Sequence, residues 1–288
     1  VEIILIGDNF DDAQYEAQKQ NTDKDLFVHA FDDVNVIEGQ GTIGLEILDQ
    51  VDKSFDYLIV PIGGGGLISG IITVFKELSP KTKIVGVEAE GAPAMSKSLK
   101  DGKIIKLNSI DNFVDGVSIK KIGKIPFDIC KNYLDEILLV PEGKICQTIL
   151  DLYNKDGIVV EPAGAIGISA LELNNKMFKD KNVGVLICGG NNDFTRMAEI
   201  RERALIYSNL KHYFIVKFPQ RAGALKEFVN NVLGKNDDIT FFEYVKKNNR
   251  ENGTAIVGIE LKFSKDLNDL VKKMKENGFF GEYLNEKP

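Results

Sequence analysis

From Val1 to about Arg203 the chain alternates between two apolar rhythms. Short, nearly unbroken runs at Glu2–Ile6, Leu26–Ala30, Tyr57–Ile62, Lys83–Ala89, Ile137–Val140 and Val183–Cys188 predict strands, several of them buried on both faces. Between them lie segments with apolar residues at helical spacing. Ile43, Ile47 and Leu48 mark a helix beginning near Gly41. Leu67, Ile71, Val74, Phe75 and Leu78 mark a second, and Ile145, Ile149 and Leu152 a third. Asp11–Gln20 and Ala163–Lys176 are further helix candidates. Strands joined by helices imply an α/β domain, a parallel sheet with flanking helices.

The rhythm changes after Arg203. Tyr213–Phe218 predicts a strand, and Leu225, Phe228, Val229, Val232 and Leu233 one face of a helix. Ile239–Val245 and Thr254–Phe263 predict two strands joined by a polar hairpin turn at Lys247–Gly253. Leu267, Leu270, Val271 and Met274 mark a final helix, with a short last strand at Phe280–Leu284. This βαββα order predicts an α+β, ferredoxin-like domain, with the boundary near Ser208.

The sharpest local feature is Gly63-Gly64-Gly65-Gly66-Leu67, between a buried strand and an amphipathic helix. Consecutive glycines let backbone approach a ligand closely and permit positive φ. A helix N-terminus adds unpaired N–H groups and a positive dipole end, so the three elements together form a phosphate cradle. A tight strand-to-helix turn without ligand has the same local pattern. No Gly-Lys-Ser/Thr follows Gly66, which excludes a Walker loop. Four adjacent glycines are also tighter than a dinucleotide fingerprint requires.

Composition narrows the class. Of 288 residues, 43% are hydrophobic and 27% charged, the mix of a globular protein. A net charge of −7 argues against nucleic-acid or anionic-membrane partners, and no apolar run has the length of a membrane span. Cys130, Cys146 and Cys188 are odd in number and widely spaced, as in a reducing cytoplasm. With only His29 and His212, a His-based metal site or a Ser-His-Asp triad is poorly supplied. A chain opening inside what reads as a core strand, with no leader, is expected to be a piece of something longer.

Six motifs occur in one order: Glu38-Gly39-Gln40-Gly41-Thr42, the glycine run with Leu67, Val87-Glu88-Ala89-Glu90, Asp115-Gly116-Val117, Glu161-Pro162-Ala163-Gly164-Ala165 and Cys188-Gly189-Gly190-Asn191. As a set, from about Val1 to Arg203, they resemble the fold-type-II pyridoxal-phosphate (PLP) enzymes, and within them the threonine dehydratases. The resemblance implies that backbone N–H groups of Gly63, Gly64, Gly65, Gly66 and Leu67 bind the pyridoxal 5'-phosphate phosphate group. It puts Cys188 beside the pyridine nitrogen, Glu161 near the ring, and the Gly116 backbone close to the cofactor. A neutral thiol at Cys188 cannot keep the pyridine nitrogen protonated as a carboxylate would. The weaker electron sink favours prompt loss of a β leaving group. Read without the resemblance, Cys188 is a small core residue at a strand end, Glu161 a helix-start carboxylate before Pro162, and Gly116 a turn glycine. Some relatives bind a divalent ion just after the strand ending in Glu88 and Glu90. That site uses an Asp where this chain has Ala94, so no metal is expected.

The family's Schiff-base lysine stands before the glycine run in a Ser-x-Lys-x-Arg-Gly context, and a Ser-Gly-Asn-His segment touches substrate. Neither motif occurs here, and Lys24 and Lys53 stand in unlike, acidic surroundings. The resemblance thus implies that a stretch of the full-length enzyme preceding Val1 is missing. Residues 1–34 would be a remnant of the small PLP subdomain, 35–207 the large catalytic domain and 208–288 an ACT-like regulatory domain. The parent reaction implied is β-elimination of L-threonine to 2-oxobutanoate and ammonia, the first step of isoleucine biosynthesis, in a cytoplasmic dimer or tetramer. The chain alone is expected to be inactive and to hold PLP weakly, by its phosphate. Pro219-Gln220-Arg221-Ala222-Gly223-Ala224-Leu225 matches the loop where ACT-like domains bind amino acids, and isoleucine is the effector implied. A ligand-free packing module reads the same. Serine dehydratases and racemases usually lack such a tail, and a non-catalytic amino-acid sensor is the remaining alternative.

Overall fold

The computed structural model describes residues 3–7, 10–22, 27–244 and 252–285. The chain divides into two units, Val1–Met197 and Ala198–Pro288.

The first unit is built on a parallel sheet of β1 (Tyr57–Pro61), β2 (Lys83–Ala89), β3 (Glu136–Val140) and β4 (Val183–Val185), in the order β3-β2-β1-β4. Its helices are α1 (Phe10–Gln20), α2 (Val34–Gln50), α3 (Gly66–Leu78), α4 (Ala94–Asp101), α5 (Lys124–Tyr133), α6 (Glu142–Asp151), α7 (Pro162–Leu173) and α8 (Asn175–Phe178). The central strands β1 and β2 lose almost all exposure because helices cover both faces, the reason for their unbroken apolar runs. Ile68, Ile71, Ile72 and Phe75 of α3 are fully buried against Leu58, Val60 and Ile84 of the sheet. Burying each such side chain is worth about 1.5–3 kcal/mol.

Helix α2 starts at Val34 rather than near Gly41. The Asp33 side chain accepts hydrogen bonds from Asn35 N (2.8 Å) and Val36 N (3.2 Å), an N-cap that extends the helix upstream of its apolar stripe. Helices α2 and α3 cross at small residues. A Cβ on Gly70 would stand 2.4 Å from the Ile37 carbonyl oxygen and 2.5 Å from Gly41 N.

Three predicted strands differ from what forms. Ile3–Ile6 is irregular, with Ile3 79% and Leu5 92% exposed. A strand needs a neighbour for its backbone groups, and none pairs with it among the described residues. Phe27–Ala30 is irregular too, and Leu26 lies outside the described residues. There the His29 ring Nδ1 accepts from Phe31 N (3.3 Å) and Asp32 N (3.0 Å), a local turn that competes with strand pairing. The last parallel strand stops at Val185, because the chain turns away at Gly189 (φ 95°).

The second unit opens with α9 (Met197–Tyr207), which begins at the division between the units. It continues with β5 (Lys211–Pro219), α10 (Ala224–Asn231), β6 (Asp238–Tyr244), β7 (Asn252–Glu260), α11 (Leu267–Glu276) and β8 (Phe280–Tyr283). The antiparallel sheet has the order β6-β7-β5-β8, the ferredoxin-like layout that the sequence predicts. The predicted hairpin turn lies mostly outside the described residues. Phe214, Val216, Phe218, Phe228, Val257, Ile259, Leu270, Met274 and Phe279 form its core. Helix α9 is tied to this sheet by polar contacts: Glu202 holds Lys211 and the Tyr213 hydroxyl, and Arg201 grips both Glu260 oxygens at 2.8 and 3.0 Å. No helix among the described residues is long and apolar enough to cross a membrane.

Candidate functional site

Strand β1 delivers the glycine run to the carboxyl edge of the parallel sheet, where a cavity of about 410 Å³ opens. Its wall includes Gly63, Gly64, Gly65, Gly66, Leu67, Gly116, Glu161 and Cys188. The eight residues singled out from the sequence are therefore brought to one place. Ligands of open α/β sheets bind outside the carboxyl ends of the strands.

The glycine loop engages the rest of the fold through its carbonyls. Gly65 O accepts from Ser69 N (3.1 Å) and Ser69 Oγ (2.6 Å), and Gly64 O accepts from Gly123 N (3.2 Å). No hydrogen bond from the amides of Gly63 to Leu67 forms among the described residues. Gly65 precedes α3 with φ 94° and ψ 0°, the left-handed conformation in which successive N–H groups converge into an anion nest. These amides and the N-terminus of α3 suit a phosphate group. Packing alone also requires the glycines. Added Cβ atoms would stand 3.0 Å from Val117 Cα at Gly63, 2.1 Å from the Phe31 ring at Gly64, and 2.5 Å from Pro126 Cβ at Gly65.

Cys188 lies beyond the end of β4, half-buried on the cavity wall. Its thiol is pushed up to about 11, chiefly by burial and then by the negative charge of Glu161. A neutral thiol therefore faces the cavity at physiological pH. Raising the value from 9 to 11 cuts the thiolate fraction at pH 8 about a hundredfold. Cys188 is expected to be alkylated by iodoacetamide correspondingly slowly, with the rate climbing up to pH 11. Peptide mapping separates it from the buried Cys130 and Cys146. Rapid alkylation at pH 8 would contradict this environment.

Glu161 is the N-cap residue of α7, with Pro162 in the first turn, yet its side chain makes no capping bond there. It reaches across to the segment after β4, where Oε2 accepts from Asn191 N (3.1 Å). A Cβ on Gly189 would stand 2.1 Å from Glu161 Oε1, and one on Gly116 would stand 2.9 Å from Ala163 Cβ. Glu161 thus braces the Cys188–Asn191 segment. The neighbouring Asp115–Gly116 turn is held by Arg196, which pairs with Asp115 at 3.3 Å and donates to Phe113 O at 2.8 Å.

Glu88 does not face this cavity. It is buried, with its two oxygens accepting from Met95 N (2.7 Å) and Ser96 N (2.8 Å) at the start of α4, and burial raises its carboxyl to about 7. Among the described residues no group of three or more His, Cys, Asp or Glu could hold a metal ion.

Sequence reasoning missed Phe31 on the wall, and quoted Gln40, Asp115, Val117, Ala163 and Gly189 within motifs without giving them a role there. Asp32 and Asp33, two short carboxylates before an apolar periodicity, were the available signal of a capped turn beside it.

The second unit has its own pocket of about 210 Å³. Phe218, Arg221, Gly223, Leu225, Phe242 and Tyr244 contribute to its wall, at the junction of β5 and α10. The Gln220 side chain also lines it, and its Nε2 is buried without a hydrogen-bond partner among the described residues.

Residues 1–189 match the family described as pyridoxal-phosphate dependent enzyme. Residues 202–288 match the family described as the C-terminal regulatory domain of threonine dehydratase. The chain is 54% identical over 287 residues to the biosynthetic L-threonine dehydratase IlvA of Halalkalibacterium halodurans, covering 99% of this chain and 69% of that protein. It is 50% identical to the enzyme of the same name from Bacillus subtilis, covering 97% of this chain and 66% of that one. Among solved structures it resembles the processed form of threonine deaminase isoform 2 from Solanum lycopersicum. That match has TM-score 0.64 and 37% identity, and covers 70% of this chain and 56% of that one.

Proposed function

Because the chain belongs to the pyridoxal-phosphate dependent threonine dehydratase family, we propose that it is the cofactor-phosphate and regulatory portion of a biosynthetic threonine ammonia-lyase. It spans about two thirds of the length of the curated relatives it matches. The reaction proposed for the whole protein is β-elimination of L-threonine to 2-oxobutanoate and ammonia, in the cytoplasm and in a dimer or tetramer, as the first step of isoleucine synthesis. One observation carries this reading: the Gly63–Leu67 amides have no hydrogen-bond partner among the described residues and lie on a cavity wall shared with Cys188, Glu161 and Gly116.

When bound, pyridoxal phosphate supplies an electron sink for bonds broken next to the substrate nitrogen. The residues of this chain have supporting tasks. The amides of Gly63, Gly64, Gly65, Gly66 and Leu67 hold the phosphate, helped by the dipole of α3. The neutral Cys188 thiol would face the pyridine nitrogen without delivering a full charge to it. Glu161 holds the segment that carries Cys188, and Gly116, with no side chain, would leave room for the ring beside the backbone. The Schiff-base lysine context has no counterpart among these 288 residues, so these groups bind and orient but do not complete the reaction.

In the second unit, isoleucine is the proposed effector. The apolar Phe218, Leu225 and Phe242 suit its side chain, the Gly223–Leu225 backbone at the start of α10 suits its carboxylate, and the Gln220 amide, without a partner among the described residues, has a donor to offer a ligand. The regulatory tail also favours threonine dehydratase over a serine racemase or serine dehydratase.

Calorimetric titration of the 288-residue chain tests both sites. Saturable binding of pyridoxal 5'-phosphate, competed by inorganic phosphate and without conversion of threonine to 2-oxobutanoate, is the expected result, with separate binding of isoleucine. Turnover by this chain overturns the division of labour, and absence of phosphate-competed binding overturns the loop assignment.

A further inference from the structure

The cofactor loop does not hold its shape alone. Phe31 lies against it from one side: its ring carbons would stand 2.1 Å from a Cβ on Gly64, and its Cα and Cβ 3.0 Å from one on Gly66. Helix α5 approaches from another side. Gly123 N donates to Gly64 O at 3.2 Å, and Pro126 Cβ would stand 2.5 Å from a Cβ on Gly65. The start of α5 is in turn fixed by Asp32, next to Phe31 in the chain. Asp32 Oδ2 accepts from Lys124 N and Oδ1 from Ile125 N, both at 2.9 Å. A charged acceptor on two orphan helix amides is a strong cap. On the other flank Asp33 caps α2, and the His29 ring accepts from the amides of Phe31 and Asp32, closing the turn between them.

We propose that Phe31 and Asp32 are positioning residues for the phosphate loop: Phe31 presses on Gly64 and Gly66 while Asp32 clamps the α5 terminus that grips the Gly64 carbonyl. The pair turns the loop's carbonyls inward to protein donors and leaves its amides for an anion. Local sequence explains why the loop can adopt a left-handed turn. The clamp explains why it adopts this one among the many open to four glycines.

This inference rests on the loop's reading as a phosphate site, and one experiment separates the two. In ¹⁵N-labelled full chain, inorganic phosphate is titrated while the amide resonances of Gly63 to Leu67 are followed. Those resonances are expected to shift with phosphate in the unmodified chain. In Phe31→Ala and Asp32→Ala the glycine resonances are expected to start at displaced positions, with phosphate affinity lowered about tenfold or more, the scale of losing charge-assisted hydrogen bonds. Asp32→Asn, which keeps one acceptor oxygen, should fall between. Amide shifts of Leu58, Ile59 and Val60 report whether the sheet remains folded. A chain that ignores phosphate removes the binding reading, and the starting glycine positions then decide the clamp by themselves. Unchanged glycine resonances in both alanine variants, with the sheet intact, overturn the clamp. If Phe31→Ala unfolds the sheet, a Phe31→Ala/Gly64→Ala pair decides. The alanine at position 64 should cost less without the ring than with it, and equal cost in both backgrounds rejects the contact.

Discussion

Gly65→Ala is expected to lower the affinity of the chain for inorganic phosphate and pyridoxal 5'-phosphate by about a hundredfold or more, the largest single effect at the site. Two costs combine. At φ 94° any L side chain is strained, by roughly 1–2 kcal/mol. The new Cβ would also stand 2.5 Å from Pro126 Cβ and 3.1 Å from Met95 Cε, and overpacking of this kind costs about 1–3 kcal/mol. Neither neighbour yields easily, since Pro126 is rigid and sits in the first turn of α5, and Met95 is buried. The loop relieves the strain by leaving the left-handed turn, and the convergence of its amides goes with it. Calorimetry with phosphate measures the loss. An affinity within threefold of the unmodified chain would mean that the amides do not converge on the anion.

The second large effect lies away from the cavity. Gly70→Ala is expected to destabilise the first unit by about 3 kcal/mol or more, because the added methyl meets backbone rather than a side chain that can swing away. Ile37 O and Gly41 N would lie 2.4 and 2.5 Å from the Cβ, so α2 and α3 must separate. Separation strips contact from Val74 and Phe75, which pack beside Gly44. Gly39→Ala is the matched control. It sits on the same α2 with nothing within 4 Å of its Cβ, and should stabilise by about 0.5–1 kcal/mol through helix propensity alone. Urea unfolding followed by circular dichroism distinguishes the pair, with the two units treated as separate transitions. Equal midpoints for the two variants would show that the crossing tolerates an extra methyl.

Much of this was legible before any coordinates. The buried runs of β1 and β2, the stripe of α3 and the glycine run between them are local patterns, and local patterns survive into the fold when the surrounding layers agree with them. The βαββα layout of the second unit was legible for the same reason. Other elements were misread where a distant partner decides. Ile3–Ile6 has strand composition and no strand beside it among the described residues. Helix α2 begins seven residues before the predicted start near Gly41, since Asp33 caps it and an amphipathic pattern does not show a cap. Helices α4, α5 and α9 were not predicted, because each is short and carries only two or three buried apolar residues among polar and charged ones, too few to set a helical period.

At the site, residue chemistry alone determined which groups can serve: four glycines that free the backbone, a thiol, a carboxylate before proline. Sequence also determined the family, through motifs whose order no single spacing explains. Tertiary structure decided the rest. It brought Glu161 to the amide of Asn191, thirty positions away in the chain, and surrounded Cys188 with enough protein to keep its proton. It also set Phe31 and the Asp32-capped start of α5 around the glycine loop. The physical reason is that dihedral freedom and side-chain chemistry belong to a residue, whereas burial, strain and the choice of hydrogen-bond partner belong to its neighbours in space.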